Sequence, residues 1–249
     1  MKRIYGLVVC CLLLTLFSAN AFALKKGGIL RITSMEEPQL LNPVFDQSSS
    51  AKEIYNLVFS SLIKVDENGQ LYADLVTHIP TFANKGMRVL SNGEMVVTYH
   101  LKNYIHWHDG EPFTAEEVRF TWQVHVDPQI KYPPTPGYQF IRRVEILDPY
   151  RVNVYFSQFY RDYHLLFQQV LPKHMYQNRL LDFNAQHPVN FTPIGTGPFI
   201  FKEWKQNEHL YLDSYPHFHL GKGYLDQIRY QFRSMDLTRL PKVLDFLKD

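Results

Sequence analysis

Hydrophobic and polar positions change their period within one stretch of the chain, Met95–Trp122. Residues 95–101 alternate between an apolar and a mixed side, and this two-residue period predicts a β-strand. Asp109-Gly110 predicts a tight turn, because glycine tolerates the positive φ that such turns need. Thr114-Ala115-Glu116-Glu117 matches a capping box, with Phe113 and Val118 placed as its hydrophobic staple. The pattern therefore predicts a helix that begins at Ala115 and buries one side, formed by Val118, Thr121, Trp122 and His125.

The same periodicities predict further elements on either side of this stretch. Asn92-Gly93 and Asp148-Pro149 each separate two apolar runs, and Glu67-Asn68-Gly69 separates a third pair, so we expect three hairpins. Ser50-Ala51-Lys52-Glu53 matches a second capping box and predicts a helix that starts there. Helical spacing also runs through Tyr160–Leu171 and Leu237–Leu247, and strand patterns occupy Ile29–Ile32, Phe199–Trp204, His209–Asp213 and Ile228–Phe232. Strands and helices interleave irregularly, which predicts a mixed α+β arrangement within the α/β class.

The first 23 residues have the pattern of a secretory signal peptide. Lys2 and Arg3 precede the apolar run Leu7–Phe17, and Ala21-Phe22-Ala23 supplies the small residues of a cleavage site. The apolar run is too short for a comfortable membrane span, although a retained anchor is the alternative interpretation. Cys10 and Cys11 lie inside this segment, and the residue before Cys10 is not the small one that a lipoprotein signal requires. We therefore expect a cleavable signal, a periplasmic protein and no disulfide in the mature chain.

The charge balance and the lack of nucleophile motifs argue against two classes of function, nucleic-acid binding and catalysis. The chain has 26 basic and 24 acidic residues, and removing Lys2 and Arg3 would make these numbers equal. A balanced charge argues against a nucleic-acid partner, which would favour a basic surplus. The sequence contains no G-x-S-x-G elbow and no cysteine after the first 23 residues. We therefore expect a protein that is not an enzyme and needs no cofactor.

Two short motifs each contain part of the pattern of a binding site, one for a metal ion and one for phosphate. His106-x-His108-Asp109 places two imidazoles and a carboxylate within four residues, and a secreted metal-binding protein that uses them is one hypothesis. No further ligand set is evident, so we predict no metal site, and His217-x-His219 is interpreted as a solvated pair. Gly195-x-Gly197 lacks the following helix start and the Lys-Ser/Thr pair of a phosphate-binding loop.

Taken in chain order, these landmarks resemble the bacterial extracellular solute-binding proteins of family 5. That family comprises the oligopeptide-, dipeptide- and nickel-binding proteins of ABC importers. The block from His108-Asp109-Gly110 through Thr114-Ala115 and the Gly195-Thr196-Gly197-Pro198 turn, in this order after a signal peptide, form a specific combination. The other matching segments are Gly27–Arg31, Leu41-Asn42-Pro43, Tyr55–Leu62 and Leu171–His174. Glu117 departs modestly from the family pattern, which more often has aspartate there.

The resemblance implies a type II periplasmic-binding-protein fold. Family members are longer and close two lobes on the ligand, so it implies that this chain carries most of the first lobe, with the second lobe missing. The implied division is residues 1–23 as signal peptide, 24–47 as the first segment of lobe I, 48–160 as an inserted subdomain, and 161–249 as the second segment of lobe I.

The resemblance also implies a function and a set of site residues. It implies a periplasmic component of an ABC transporter that binds a peptide or another small solute and delivers it to permease subunits of the inner membrane. With one lobe, we expect weak or no ligand binding by the chain alone. An interaction module that pairs with a separate second lobe or with a permease is the alternative. The residues expected to face the cleft are Ser34, Met35, Glu36, Thr196 and Gly197.

Overall fold

The computed structural model describes residues 26–130, 132, 134–176 and 186–233. The predicted signal peptide and the predicted helix Leu237–Leu247 lie outside these residues. Two α-helices are present in the described part of the chain, α1 (Ser49–Val58) and α2 (Ala115–Val126). The strands are β1 (Ile29–Ser34), β2 (Ile63–Val65), β3 (Leu71–Ala73), β4 (Met87–Val89), β5 (Met95–His100), β6 (Ile141–Asp148), β7 (Arg151–Phe156), β8 (Phe199–Lys205), β9 (His209–Ser214) and β10 (Gln227–Phe232).

Two four-stranded sheets and one small hairpin form the framework, so the predicted mixed α/β class is confirmed. The first sheet has the order β1-β10-β9-β8, with β1 parallel to β10 and the remaining pairs antiparallel. The second sheet, β4-β5-β7-β6, is antiparallel throughout, and β2 pairs with β3. Neither helix in the described ranges has the length and apolar character needed to cross a bilayer.

Alternating side chains of the first sheet face α1. In register across three strands, Ile228, Leu212 and Phe201 point to one side, and Tyr230 and Leu210 join them there. They form a buried cluster with one side of α1, contributed by Ala51, Ile54, Tyr55 and Val58. The helix thus packs on one face of the sheet, as its predicted apolar side required.

The second sheet packs under α2 around a large aromatic core. Val97, Val152 and Val154 alternate inward and contact the same cluster as Val118 and the fully buried Trp107. The predicted capping box is present, with the Thr114 hydroxyl accepting from the start of the helix and Glu117 accepting from the Thr114 N–H at 2.9 Å. The helix also buries Phe120 and Val124 against a third, smaller cluster. The prediction of one buried side therefore missed a second side of the helix that is also buried.

The start of α1 differs from its prediction. The N-cap is Ser48, whose hydroxyl accepts from Ala51 N–H at 3.3 Å, and Ser50 lies buried inside the first turn. Asp46 explains the shift, because its carboxylate accepts from Ser48 N–H at 2.9 Å and holds Ser48 outside the helix. The capping box assigned to Ser50–Glu53 was therefore wrong by two residues.

Ser48→Ala is expected to lower the free energy of unfolding by about 1 kcal/mol, because it removes the oxygen that caps α1. Ser49→Ala is the matched control, since Ser49 is exposed and lies inside the helix, and a change within about 0.5 kcal/mol is expected there. Urea unfolding of both variants measures the difference. Equal effects would contradict the assignment of Ser48 as the cap.

The helix predicted over Tyr160–Leu171 was also wrong. Only a single 3₁₀ turn, Tyr163–Leu165, forms there. Phe167 adopts φ +56°, which no α-helix allows. Its backbone groups bond outside the segment instead, the N–H to the Tyr138 hydroxyl at 3.0 Å and the C=O to Leu62 N–H at 3.1 Å. Tertiary partners thus replace the helical hydrogen bonds.

Side-chain packing indicates bounds for the inserted subdomain that differ from those implied by the family resemblance. The first helix, Ser49–Val58, shares its core with the first sheet, whereas Tyr163, Leu166 and Val170 belong to the core of the second sheet. We propose that the inserted subdomain extends from about Ser60 to Val170 rather than over residues 48–160.

Candidate functional site

The carboxyl ends of β1 and β10 define one edge of the first sheet. The two strands are parallel, and Ser34 pairs with Phe232 at this edge. In open α/β sheets, ligands bind outside the carboxyl ends of parallel strands. The segment that follows β1, where Ser34, Met35 and Glu36 were predicted to face a cleft, is therefore the first candidate for ligand contact.

The first three predicted residues form a local turn at this edge. The Ser34 hydroxyl donates to Glu36 C=O at 2.7 Å and accepts from Glu36 N–H at 3.2 Å. Met35 is 69% exposed at the tip of the turn. Because a serine turn fixes the backbone while the thioether side chain remains in solvent, this tip offers an ordered apolar contact.

Glu37 anchors the turn to the rest of the sheet, a role that the sequence analysis did not predict. Its carboxylate accepts from the Trp204 indole N–H at 2.7 Å and from Asn207 N–H at 2.9 Å. Trp204 and Asn207 belong to β8 and to the turn that follows it. The only sequence signal is an acid between the predicted site and Pro38, and its partners lie far along the chain.

A hollow of about 430 Å³ lies beside this edge, on the face of the first sheet that α1 does not cover. Arg229 lies over the Tyr211 ring at 5.0 Å, and His209 stacks on the same ring at 4.3 Å. Arg31 completes the basic lining. Guanidinium groups that pack on an aromatic ring can bind carboxylates and planar polar groups.

Thr196 and Gly197, the other predicted site residues, lie inside the molecule. Thr196 is 2% exposed, and its C=O accepts from the Ser60 hydroxyl at 3.2 Å. Gly197 N–H donates to Val58 C=O at 2.8 Å. The structure therefore places these two residues against the end of α1, while Ser34, Met35 and Glu36 lie at the sheet edge. Among the described residues, no hydrogen bond joins the two groups.

His108 joins the glycine turn to the second sheet. Its Nε2 lies 3.0 Å from Gly197 C=O, and its Nδ1 lies 3.3 Å from Gly195 N–H. A carbonyl can only accept and an amide can only donate, so the ring carries its proton on Nε2 and keeps Nδ1 as an acceptor. His108 N–H also donates to Gly195 C=O at 2.9 Å. The block that starts at His108-Asp109-Gly110 and the Gly195-Thr196-Gly197-Pro198 turn, the two most specific motifs of the sequence, are thus joined by hydrogen bonds.

The His108 ring must remain neutral for this arrangement. Burial lowers its pKa to about 4, outweighing the raising effects of Gly197 C=O and Asp109. Tyr215, which directly follows β9, packs edge-on against the ring, with the ring centres 4.9 Å apart. Protonation of Nδ1 would direct a second N–H at Gly195 N–H and break that bond.

We expect acid to destabilise the fold between about pH 6.5 and pH 4. The pKa of His108 and of His125 is about 4 in the fold, lowered by burial from an ordinary value of 6.5. Below pH 6.5 the unfolded chain therefore binds protons that the folded chain does not bind. The free energy of unfolding should fall by up to about 1.4 kcal/mol per pH unit for each histidine as pH drops through this window.

Urea unfolding at pH 7, 6, 5 and 4.5 measures this dependence. His125→Gln is the informative variant, because it removes one of the two histidines whose pKa is lowered most and should flatten the slope. A free energy of unfolding that stays constant from pH 7 to pH 5 would contradict the assignment.

His106, His108 and Asp109 make three separate sets of contacts. His106 is exposed with Nδ1 3.2 Å from Tyr104 C=O, His108 binds the glycine turn, and Asp109 lies 2.9 Å from His174 Nε2. Within the described ranges, no group of three or more His, Cys, Asp or Glu side chains could hold a metal ion. Both His108 nitrogens are already bonded, so the metal hypothesis for this trio has no support in the geometry.

His219 is not the solvated residue predicted from sequence. Its side chain is 3% exposed, and Nε2 lies 2.6 Å from the carboxylate of the fully buried Asp74. Lys64 contacts the same carboxylate at 3.2 Å. Since His219 lies in the loop between β9 and β10 of the first sheet and Asp74 directly follows β3, this pair is a second connection between the first sheet and the subdomain built around the second sheet. The interpretation of His217-x-His219 as a solvated pair was wrong for His219.

The chain is similar to proteins of one family. Residues 71–243 match the profile of the bacterial extracellular solute-binding proteins, family 5 middle. The oligopeptide-binding protein AppA of Bacillus subtilis is 29% identical over 213 residues, which are 83% of this chain and 37% of that protein. The di/tripeptide-binding protein 2 of Pseudomonas aeruginosa is 24% identical over 87% of this chain and 43% of its own length.

Solved structures agree with this similarity. AppA of Bacillus subtilis in complex with a nonapeptide superposes with a TM-score of 0.70 at 28% identity, over 84% of this chain and 40% of AppA. NikZ of Campylobacter jejuni in complex with Ni(L-His) gives a TM-score of 0.69 at 27% identity, over 87% of this chain and 42% of NikZ. The chain thus spans about two fifths of the length of these relatives. With a family profile matching well over half of its residues, the chain belongs to the bacterial extracellular solute-binding proteins of family 5.

Proposed function

We propose that this chain provides one wall of a peptide-binding site in the solute-binding component of a periplasmic ABC importer. The observation that carries the proposal is the similarity, in sequence and fold, to an oligopeptide-binding protein whose solved structure holds a nonapeptide. The signal-peptide pattern of residues 1–23 supports export to the periplasm. Permease subunits of the inner membrane are the partners that such a component would require.

The edge formed by the Ser34–Glu36 turn is the proposed peptide contact. An extended peptide can add its main-chain hydrogen bonds to an exposed strand end, while its side chains are received by separate surfaces. Glu37 fixes the turn in place through Trp204 and Asn207, so little ordering is needed when ligand arrives. Arg31 and Arg229 beside the edge supply cations for a ligand carboxylate.

The chain alone should bind peptides weakly. Tight binding of small ligands requires enclosure that removes most of their surface from water, and the described residues present the edge as an open surface. Calorimetric titration of the purified chain with mixed di- to pentapeptides tests this proposal. We expect no saturation below about 1 mM, which corresponds to about 4 kcal/mol of binding free energy. A micromolar dissociation constant for the chain alone would contradict the one-wall interpretation.

A further inference from the structure

A pair of histidines, His78 and His100, lies at the surface of the second sheet, outside the proposed peptide edge. Their ring centres are 5.2 Å apart and the ring planes are inclined by 34°. His78 is exposed and His100 is half-buried. We propose that these two imidazoles form a site for a divalent transition-metal ion of the Zn²⁺, Ni²⁺ or Cu²⁺ class. This site departs from the expectation of no metal site drawn from the sequence.

The spacing of the rings fits shared coordination. Imidazole nitrogen binds Zn²⁺ at about 2.0 Å, so each ring centre would lie about 3.2 Å from the ion. Two ligands at the tetrahedral angle then place their ring centres about 5 Å apart. The observed 5.2 Å agrees with this value. Water would fill the remaining coordination positions.

A neighbouring threonine orients one of the two ligands. The Thr77 hydroxyl donates its single proton to His100 C=O at 3.3 Å. Its contact with His78 Nδ1 at 2.9 Å must then be one in which the ring N–H donates and the hydroxyl accepts. The proton of neutral His78 is therefore on Nδ1, and Nε2 presents a lone pair. A metal-binding histidine commonly donates its other ring N–H in this way.

The backbone holds the pair rigidly. Thr77 N–H donates to His100 C=O at 2.8 Å, and Val76 bridges Leu101 in the antiparallel sense. His100 ends β5, which is paired along its length with β7. His78 lies in the bend directly after this bridge, so both ligands are attached close to hydrogen-bonded backbone, and this lowers the entropy cost of binding an ion between them.

The electrostatic surroundings permit a cation at this place. Arg151 pairs with His100 across the β5–β7 ladder and would oppose a cation, but its guanidinium is bonded to the Asp148 carboxylate.

Titration of the tag-free protein with ZnCl₂ at pH 7.5, followed by calorimetry, tests the site. We expect saturable binding of one equivalent below 1 mM, and His78→Ala and His100→Ala should each weaken it by about tenfold or more. Thr77→Val should weaken it several-fold, because that change removes the acceptor that orients His78. His106→Ala is the matched control: His106 is also an exposed histidine with Nδ1 near a carbonyl, and its loss should leave the affinity unchanged.

The result is decisive in each direction. Loss of binding in both histidine variants with retention in His106→Ala supports the site. Absence of saturable Zn²⁺ binding by the unsubstituted chain, unchanged affinity in His78→Ala, or equal loss in His106→Ala would each overturn it. Circular dichroism confirms that each variant is folded, and should His100→Ala fail to fold, the exposed His78→Ala variant decides alone. Peptide titrations do not enter the comparison, so failure of this site leaves the proposed function untouched.

Discussion

Gly195→Ala is expected to lower the free energy of unfolding by about 3 kcal/mol or more. A Cβ added at Gly195 would lie 1.8 Å from the Val58 carbonyl oxygen and 2.6 Å from its carbon. These are backbone atoms at the end of α1, so no side chain can rotate away to make room. Relief would require the glycine turn to leave α1 and, with it, the hydrogen bonds of His108. Urea unfolding measures the loss.

Gly223→Ala is the matched control for this substitution. No atom lies within 4 Å of a Cβ built there, so the change should alter the free energy of unfolding by less than about 1 kcal/mol. A Gly195→Ala variant as stable as Gly223→Ala would show that the turn does not pack on α1 as described.

His108→Leu is expected to lower the free energy of unfolding by about 2–4 kcal/mol. Leucine has a similar volume but leaves Gly197 C=O and Gly195 N–H without their ring partners. Each buried backbone group without a hydrogen bond costs about 1–3 kcal/mol. The variant should also lose part of the acid sensitivity between pH 6.5 and pH 4, because one of the two histidines whose pKa is lowered to about 4 is gone.

His106→Ala serves as the control for His108→Leu. His106 is two residues away but exposed, so a change below about 0.5 kcal/mol is expected. Comparable losses in the two variants, or an unaltered acid slope in His108→Leu, would contradict the role assigned to the ring.

Local chemistry was sufficient to predict most elements of the fold. Asn92-Gly93 forms the expected turn between β4 and β5, with Gly93 at φ +83°. The capping box at Thr114 sets the start of α2 as predicted. Both signals act within a few residues. The family resemblance was confirmed as well, because its motifs are specific in their order.

Predictions failed where partners outside the apolar pattern, distant or local, compete with the predicted helical hydrogen bonds. The segment Tyr160–Leu171 has helical spacing, yet Phe167 bonds to Tyr138 and Leu62 and adopts a left-handed conformation. Asp46 moved the start of α1 by holding Ser48 outside the helix. Neither partner can be identified from the spacing of apolar residues alone.

The candidate site was predicted only in part for the same reason. The turn at Ser34–Glu36 follows a predicted strand, and an exposed position there could be expected. Glu37, which anchors the turn, depends on Trp204 and Asn207, which lie in a hairpin far along the chain. The pairing of His108 with Gly195 and Gly197 joins segments 87 and 89 residues apart. A single sequence carries no signal for such pairs.

The most direct test of the peptide-binding proposal is amide NMR of the ¹⁵N-labelled chain during titration with a tripeptide. The final tripeptide concentration should be several times higher than about 1 mM. We expect fast-exchange shifts concentrated at Ser34–Glu37 and at Asn207 and Glu208, which lie at the same sheet edge. The amide signal of Gly93, which lies in a turn of the second sheet, should not shift. Shifts confined to the second sheet, or none at the Ser34–Glu37 amides at any peptide concentration reached, would contradict it.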